Sequence, residues 1–323
     1  MTRRPVVARW IVLAVAMVAH GAWAQSWPTK AVRIVVPFAP GALTDIAARA
    51  IGAELGEQLG HQFIVENKGG AGGTLGTADV AKSPADGSSF VFTDNSYMIS
   101  AGLYSKLPYD PVKDLLPVTL AVEAAAIMIA RHDLPAKNVS ELVALAKAKP
   151  RTLTYGSGGQ GSSAHLATEL FLAQAGVEMV HVPFKGVAAA IADVVGGRID
   201  VTISTVGAAL GQVKSGKARA LAVTGKERVP SLPDVPTFAE SGYPDYDMVY
   251  RFGFLAPVRT PPAIVNRMRD EVAKAAAKPR VRELLIPQGA RPVASTPAEY
   301  GAIIEREMRT WKAVIERAGV KVE

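Results

Sequence analysis

The densest run of chemistry-bearing positions is Gly156-Ser157-Gly158-Gly159-Gln160-Gly161, followed by Ser162, Ser163 and His165. A short strand pattern precedes it and a helical pattern follows. The spacing Gly156-x-Gly158-x-x-Gly161 is that of a dinucleotide fingerprint. That chemistry also needs an acid about 20 residues on, at the end of the next strand, to hold a ribose hydroxyl. Here the next strand ends in Pro183-Phe184-Lys185. A phosphate loop fails for a similar reason, because no lysine precedes the hydroxyl residues and a γ-phosphate would have no charge partner. Both motifs share one property that survives. A glycine turn opening onto a helix offers free backbone N–H groups and a positive dipole end to an anion. Ser162 and Ser163 either donate their hydroxyls to that anion or merely cap the helix. Local sequence supports the two roles equally.

Pro40-Gly41-Ala42-Leu43-Thr44-Asp45 is a second strand-to-helix loop of this type, and Gly69 to Gly73 opening onto Thr74 is a third. Ligands of open parallel sheets sit at the carboxyl edge of the strands, so three such loops from two α/β units point to a cleft. Nucleophilic hydrolysis finds less support. Ser157 lies in Tyr155-Gly156-Ser157-Gly158-Gly159, and Tyr155 breaks the Gly-x-Ser-x-Gly elbow. His61, His132, His165 and His181 form no His-x-x-x-His or His-Glu-x-x-His pair, so no local metal framework exists. No metal and no cofactor is expected.

The elements that would position these loops alternate along the chain. Val32 to Val36 reads as a strand, 44–59 as a helix ending at Gly60, 63–65 as a strand, 74–81 as a helix and 89–93 as a strand. That order predicts a largely parallel sheet with helices on both faces. The pattern restarts with a long apolar strand over 118–130, then a helix over 140–149 with Ser140 as its N-cap. Strand 153–155, helix 163–175, strand 180–182, helix 187–195, strand 199–203 and strand 219–224 follow. Strand 252–255 and helices near 264–277 and 297–318 close the chain.

The 323 residues include no cysteine, so disulfides, thiol catalysis and thiolate metal sites are excluded. Thr2-Arg3-Arg4 and Arg9, an apolar run from Trp10 to Ala19, and Ala22-Trp23-Ala24 have the order of a secretory signal peptide cut after Ala24. The run is too short to span a bilayer, which takes roughly 20 residues. Loss of three arginines would lower the formal charge from +7 to +4. With 7% aromatic residues and no Lys/Arg run longer than two, a nucleic-acid groove is not expected.

Several blocks, in order, resemble the Bug family, the periplasmic substrate-binding proteins of tripartite tricarboxylate transporters. They are Trp27-Pro28, Ile34-Val35-Val36-Pro37-Phe38-Ala39-Pro40-Gly41 with Asp45 and Ala48-Arg49, Val65 to Gly73, and Pro84-Ala85-Asp86-Gly87. His181-Val182-Pro183-Phe184-Lys185-Gly186, Ala220 to Thr224 and Leu232 to Thr237 continue the match, which covers the chain from Trp27 onward. The resemblance implies an α/β, two-lobed type II periplasmic binding protein fold with a hinge and an interlobe cleft. Its segments would be a signal peptide at 1–24, lobe 1 at 25–124, lobe 2 at 125–246, and a return to lobe 1 at 247–323. It implies a small carboxylate ligand, two integral membrane subunits as partners, a monomer in the periplasm, and no enzymatic activity. A carboxylate sensor docking on a membrane receptor is the alternative, and a secreted serine hydrolase a more distant one.

Phe38, Gly41, Ala42, Leu43 and Asp45 are expected at the ligand from the first loop, with Gly73 and Thr74 from the third. Thr93, Asn95 and Tyr97 follow a strand end and join them. Ser157, Gly161, Ser162, Ser163 and His165 come from the glycine turn, Phe184 and Lys185 from the next strand end, and Thr205 from a later one. Three positions depart from the family pattern. Ala42 stands for a glycine, Phe184 for a tyrosine, and Arg251 for a tryptophan in the apolar run Met248 to Leu255. A guanidinium there could pair a second ligand carboxylate bidentately, or pair with Asp245 or Asp247.

Overall fold

Four of the five side chains of β1 (Val32–Val36) are apolar and β-branched, and those four are buried. A strand buried on both faces belongs inside a sheet. β1 pairs in parallel with β2 (Phe63–Asn67) on one side and β3 (Ser89–Thr93) on the other. The computed structural model describes residues 27–321, so the signal-peptide reading lies outside the described residues. The fold is two-lobed and mixed α/β, and its sheet runs in the order β2-β1-β3-β9 (Val249–Pro257)-β4 (Leu115–Arg131)-β7 (Val201–Thr205)-β5 (Thr154–Ser157)-β6 (Val180–Pro183).

Two strands depart from the expected parallel arrangement, and they are the ones that link the lobes. β4 (Leu115–Arg131) pairs antiparallel with β9 (Val249–Pro257) over its first part, ending at Ala125↔Val249. From Ala126 onward it pairs with β7 (Val201–Thr205) and, from Ile127, with β8 (Ala218–Val223). β5 (Thr154–Ser157) lies between β7 and β6 (Val180–Pro183), parallel to both. One 17-residue strand thus serves both lobes, and β9 returns the chain to the first. Short β10 (Ala290–Pro292) adds to β4 at Glu123.

Helices follow the parallel strands at their carboxyl ends. α1 (Leu43–Leu59) follows β1, α2 (Thr74–Ala81) follows β2, and α3 (Ser96–Leu103) follows β3. In the second lobe α4 (Val139–Ala148) follows β4 and α5 (Ser163–Ala175) follows β5. α6 (Val187–Val195) follows β6 and α7 (Val206–Lys214) follows β7. α8 (Pro262–Ala277) and α9 (Pro279–Leu285) pack on α1, and α10 (Pro297–Ala318) packs on α3.

α10 shows why the lobe closes as it does. Thr296 and Glu299 form a reciprocal capping box at its start. Tyr300, Ile304, Glu307, Trp311 and Ile315 recur at helical spacing on its buried face. Tyr300 packs against Gly253 of β9, and a methyl group there would overlap its ring. The N-cap of α4 is Asn138 rather than Ser140. Its carboxamide oxygen accepts the Glu141 N–H at 2.9 Å, and the helix therefore begins a residue earlier than its sequence suggested.

Candidate functional site

Lobe 1 presents the first anion-ready loop. The N-cap of α1 is Ala42, which has no side chain able to cap, so the N–H groups of Leu43 and Thr44 have neither intrahelical nor side-chain acceptors. Asp45 turns back instead of outward. One carboxylate oxygen accepts the Gly41 N–H at 3.0 Å; the other accepts Arg49 Nε at 3.0 Å and Asn67 Nδ2 at 2.9 Å. Asn67 also donates to the Phe38 carbonyl at 3.1 Å, which ties both ends of the loop to one carboxylate. Burial pushes the Asp45 carboxyl up, but Arg49, Gly41 and Asn67 together outweigh it and hold the group below the usual range. Gly41 has φ +88°, a conformation that glycine adopts without strain.

Lobe 2 presents the second. Ser162 is the N-cap of α5, and its hydroxyl oxygen accepts the His165 N–H at 3.3 Å. The capping role is therefore filled, while the hydroxyl proton stays available to donate. Gly161, at φ +72°, donates its N–H to His165 Nδ1 at 3.0 Å. An accepting Nδ1 places the ring proton of His165 on Nε2. Ser157 Oγ lies 2.6 Å from His181 Nε2 and accepts the Gly159 N–H at 3.2 Å. The two imidazoles stack at 3.8 Å with 7° between their planes, and Tyr155 stacks on His181 at 4.9 Å. Burial pushes His165 down to about 3, with the neighbouring His181 adding to the effect, and burial pushes His181 down to about 4. Both rings are uncharged at neutral pH.

Contacts join the loops across the molecule. Phe38 packs on Gly73, where a methyl group would meet its ring at 3.3 Å. The Tyr104 hydroxyl stands over Gly72, and the side chain of neighbouring Leu103 from α3 covers Gly161 of lobe 2. Phe184 packs on Gly156, and its carbonyl lies over Gly159. Ser163 is half-buried in the first turn of α5, and Lys185 is exposed. Thr74 donates to the Ala71 carbonyl at 2.9 Å, and Thr205 caps α7 by accepting the Ala208 N–H at 3.4 Å. Leu103, Tyr104 and His181 were not among the expected site residues. His181 could be found only from its pairing with Tyr155 across β5 and β6.

Four expected ligand residues have their side chains turned to the interior. Asn95 is fully buried; its amide donates to the Val249 carbonyl at 3.1 Å and Glu307 at 2.8 Å, and its oxygen accepts the Arg251 N–H at 2.7 Å. Tyr97 is buried against Tyr109 and donates to the Pro111 carbonyl. Thr93 is buried opposite Gly253 in the β3–β9 pair. Arg251 has only 6% of its surface exposed and faces Glu123 at 3.3 Å, Asp247 at 3.3 Å, and Glu307 at bonding distance. The acids that its sequence context suggested as an alternative thus include the actual partner Asp247. The guanidinium is committed to them, because an unpaired buried charge would cost more than its hydrogen bonds return. Among the described residues no group of three or more His, Asp or Glu side chains is placed to hold a metal ion.

Two α/β lobes joined by crossing strands, with a glycine loop and helix start from each, define a solute-binding protein. The model of the tripartite tricarboxylate transporter family receptor, TctC, matches residues 47–320, and the chain belongs to that family. Protein BugT of Bordetella pertussis is 33% identical over 315 residues, covering 97% of each chain. The solved structure of R. palustris Rpa4515 with adipate shares 35% identity and a TM-score of 0.81, covering 91% of this chain and 99% of that one. MatC from Rhodopseudomonas palustris with bound malate shares 32% identity and a TM-score of 0.78, covering 90% of this chain and all of the other.

Proposed function

We propose that this protein captures a small carboxylate between its lobes in the periplasm and delivers it to two integral membrane subunits of a tripartite transporter. The observation that carries this reading is the pair of helix starts. In both α1 and α5 the third side chain turns back to the loop glycine, so the first N–H groups are left to an anion. Two such ends, one per lobe, suit a ligand with two acidic groups, and relatives solved with adipate and malate support that class. Arg251 has no part in this recognition. The protein would turn nothing over, and residues 1–24 would direct its export and be cut off after Ala24. A thermal-shift screen of the protein lacking residues 1–24 against mono-, di- and tricarboxylates tests the proposal. A true ligand raises the melting temperature by mass action, by about 2.7 kcal/mol of stabilisation at 100 times its Kd. No shift from any carboxylate would overturn it.

A further inference from the structure

We propose that His165 is the positioning residue for the lobe-2 half of the ligand site: clamped against His181, it accepts the Gly161 N–H and holds the 157–162 turn so that the first N–H groups of α5 face the cleft. The proposal rests on the carboxylate-binding reading. It goes beyond that reading by assigning the work to a side chain behind the loop rather than one touching the ligand.

Four of the six residues from Gly156 to Gly161 are glycine, so the turn has almost no side chains of its own with which to hold a shape. Glycine loses more conformational freedom on ordering than any other residue. An unrestrained turn would lose that freedom again at every binding event. Two tethers remove the problem, and both end on one stack of rings. Ser157 Oγ fixes Gly159 at 3.2 Å and meets His181 at 2.6 Å, and His165 fixes Gly161 at 3.0 Å. Glu169 accepts the hydroxyl of Tyr155, which stacks on His181 and extends the clamp into α5.

Position 165 is the third residue of α5, from which a side chain reaches back past the cap, as the acid of a capping box does. An acid there would bring negative charge under an incoming anion. An imidazole supplies the acceptor without the charge, provided that its Nδ1 is unprotonated. At 3% exposure and stacked 3.8 Å from a second imidazole, His165 is held in that form.

Two substitutions separate hydrogen bonding from packing. His165→Phe keeps a ring for the stack and removes the acceptor, whereas His165→Asn places an oxygen near the Nδ1 position and removes the ring. Adipate is the calorimetric probe, and the exchange rate of the Gly161 amide, read by NMR without ligand, is the independent measurement. His165→Phe is expected to speed Gly161 exchange and weaken adipate binding, each roughly tenfold, as the loss of one hydrogen bond implies. His165→Asn is expected to recover most of both. Wild-type affinity in the Phe variant, or an Asn variant as weak as Phe, would overturn the proposal. If no carboxylate shifts the melting temperature of the wild-type protein, the carboxylate reading fails separately. The ring-nitrogen shifts of wild-type His165 then decide the positioning role without any variant having to fold: an Nε2-protonated ring supports it, and an Nδ1-protonated ring overturns it.

Discussion

The two loop-to-helix junctions are built on one plan with different chemistry. In each, a glycine of positive φ stands just before the N-cap and donates its N–H to the side chain four residues on. In lobe 1 that side chain is Asp45, an ionised acid whose charge is answered by Arg49 and Asn67. In lobe 2 it is His165, an uncharged ring answered by a second ring. What the junction requires is an acceptor at the third helical position, whether or not it is charged. The difference then decides how each half of the site responds to substitution and to pH.

The largest test concerns the charges that stand near neither junction. Arg251→Leu leaves Glu307 buried without its cation, while Glu123 keeps Arg291 as a partner, and should cost about 3–5 kcal/mol of stability, measured by urea unfolding. Affinity for dicarboxylates should stay within about threefold wherever the protein remains folded, a change worth less than about 0.7 kcal/mol. A selective loss of dicarboxylate affinity at unchanged stability would return Arg251 to the ligand and undo the division between structural and binding charges.

Acid should separate the two junctions. His165 sits at about 3, against an ordinary 6.5, so the unfolded chain binds its proton first as pH falls. Stability is therefore lost from pH 6.5 downward until the folded ring itself titrates. Between pH 7 and pH 5 this costs about 2 kcal/mol for His165, and His181, whose folded value also lies below that window, adds a comparable amount. Asp45 behaves differently. Its folded value is lowered, so its contribution is complete above about 3.8 and is lost only below that. Unfolding curves at pH 7 and 5 should show a smaller drop for His165→Asn than for wild type, and no such difference for Asp45→Asn. Equal drops in all three proteins would remove the distinction between the lobes.

The smallest expected effect is at the lobe-2 cap. Ser162→Ala should cost about 1 kcal/mol of stability through the lost bond to the His165 N–H. If the free hydroxyl proton also reaches the carboxylate, affinity falls by more than tenfold in calorimetry; an unchanged affinity would leave the cap as its whole role.

Local features of both junctions were legible in the sequence, and distant ones were not. Helix 163–175 with its serine cap, helix 74–81 and helix 297–318 begin and end where cap residues and periodicity put them. The long apolar stretch before Arg131 is the strand shared by both lobes. α3 (Ser96–Leu103) was missed because its first turn carries no side-chain cap and half of its residues are buried, which blurs the helical stripe. α7 was missed too, although Thr205 caps it, because its stretch reads as a continuation of the apolar strand. At the site, the glycine turns and their free N–H groups follow from a few consecutive residues. The bonds from Gly41 to Asp45 and from Gly161 to His165 span only four positions and could have been read from a glycine before the cap and an acceptor at the third helical position. Asn95, Arg251 and Glu307 could not, since their bonds join residues 56 to 212 apart and exist only once α10 covers β9.

Whether both helix starts grip one ligand is decided by a crystal structure of the protein lacking residues 1–24 with its best carboxylate. Carboxylate oxygens are expected within about 3.2 Å of N–H groups in the first turns of both α1 and α5, with Asp45 and His165 still bonded to Gly41 and Gly161. A ligand seated against Arg251 beside Trp311, or one touching a single lobe in a closed molecule, would contradict it.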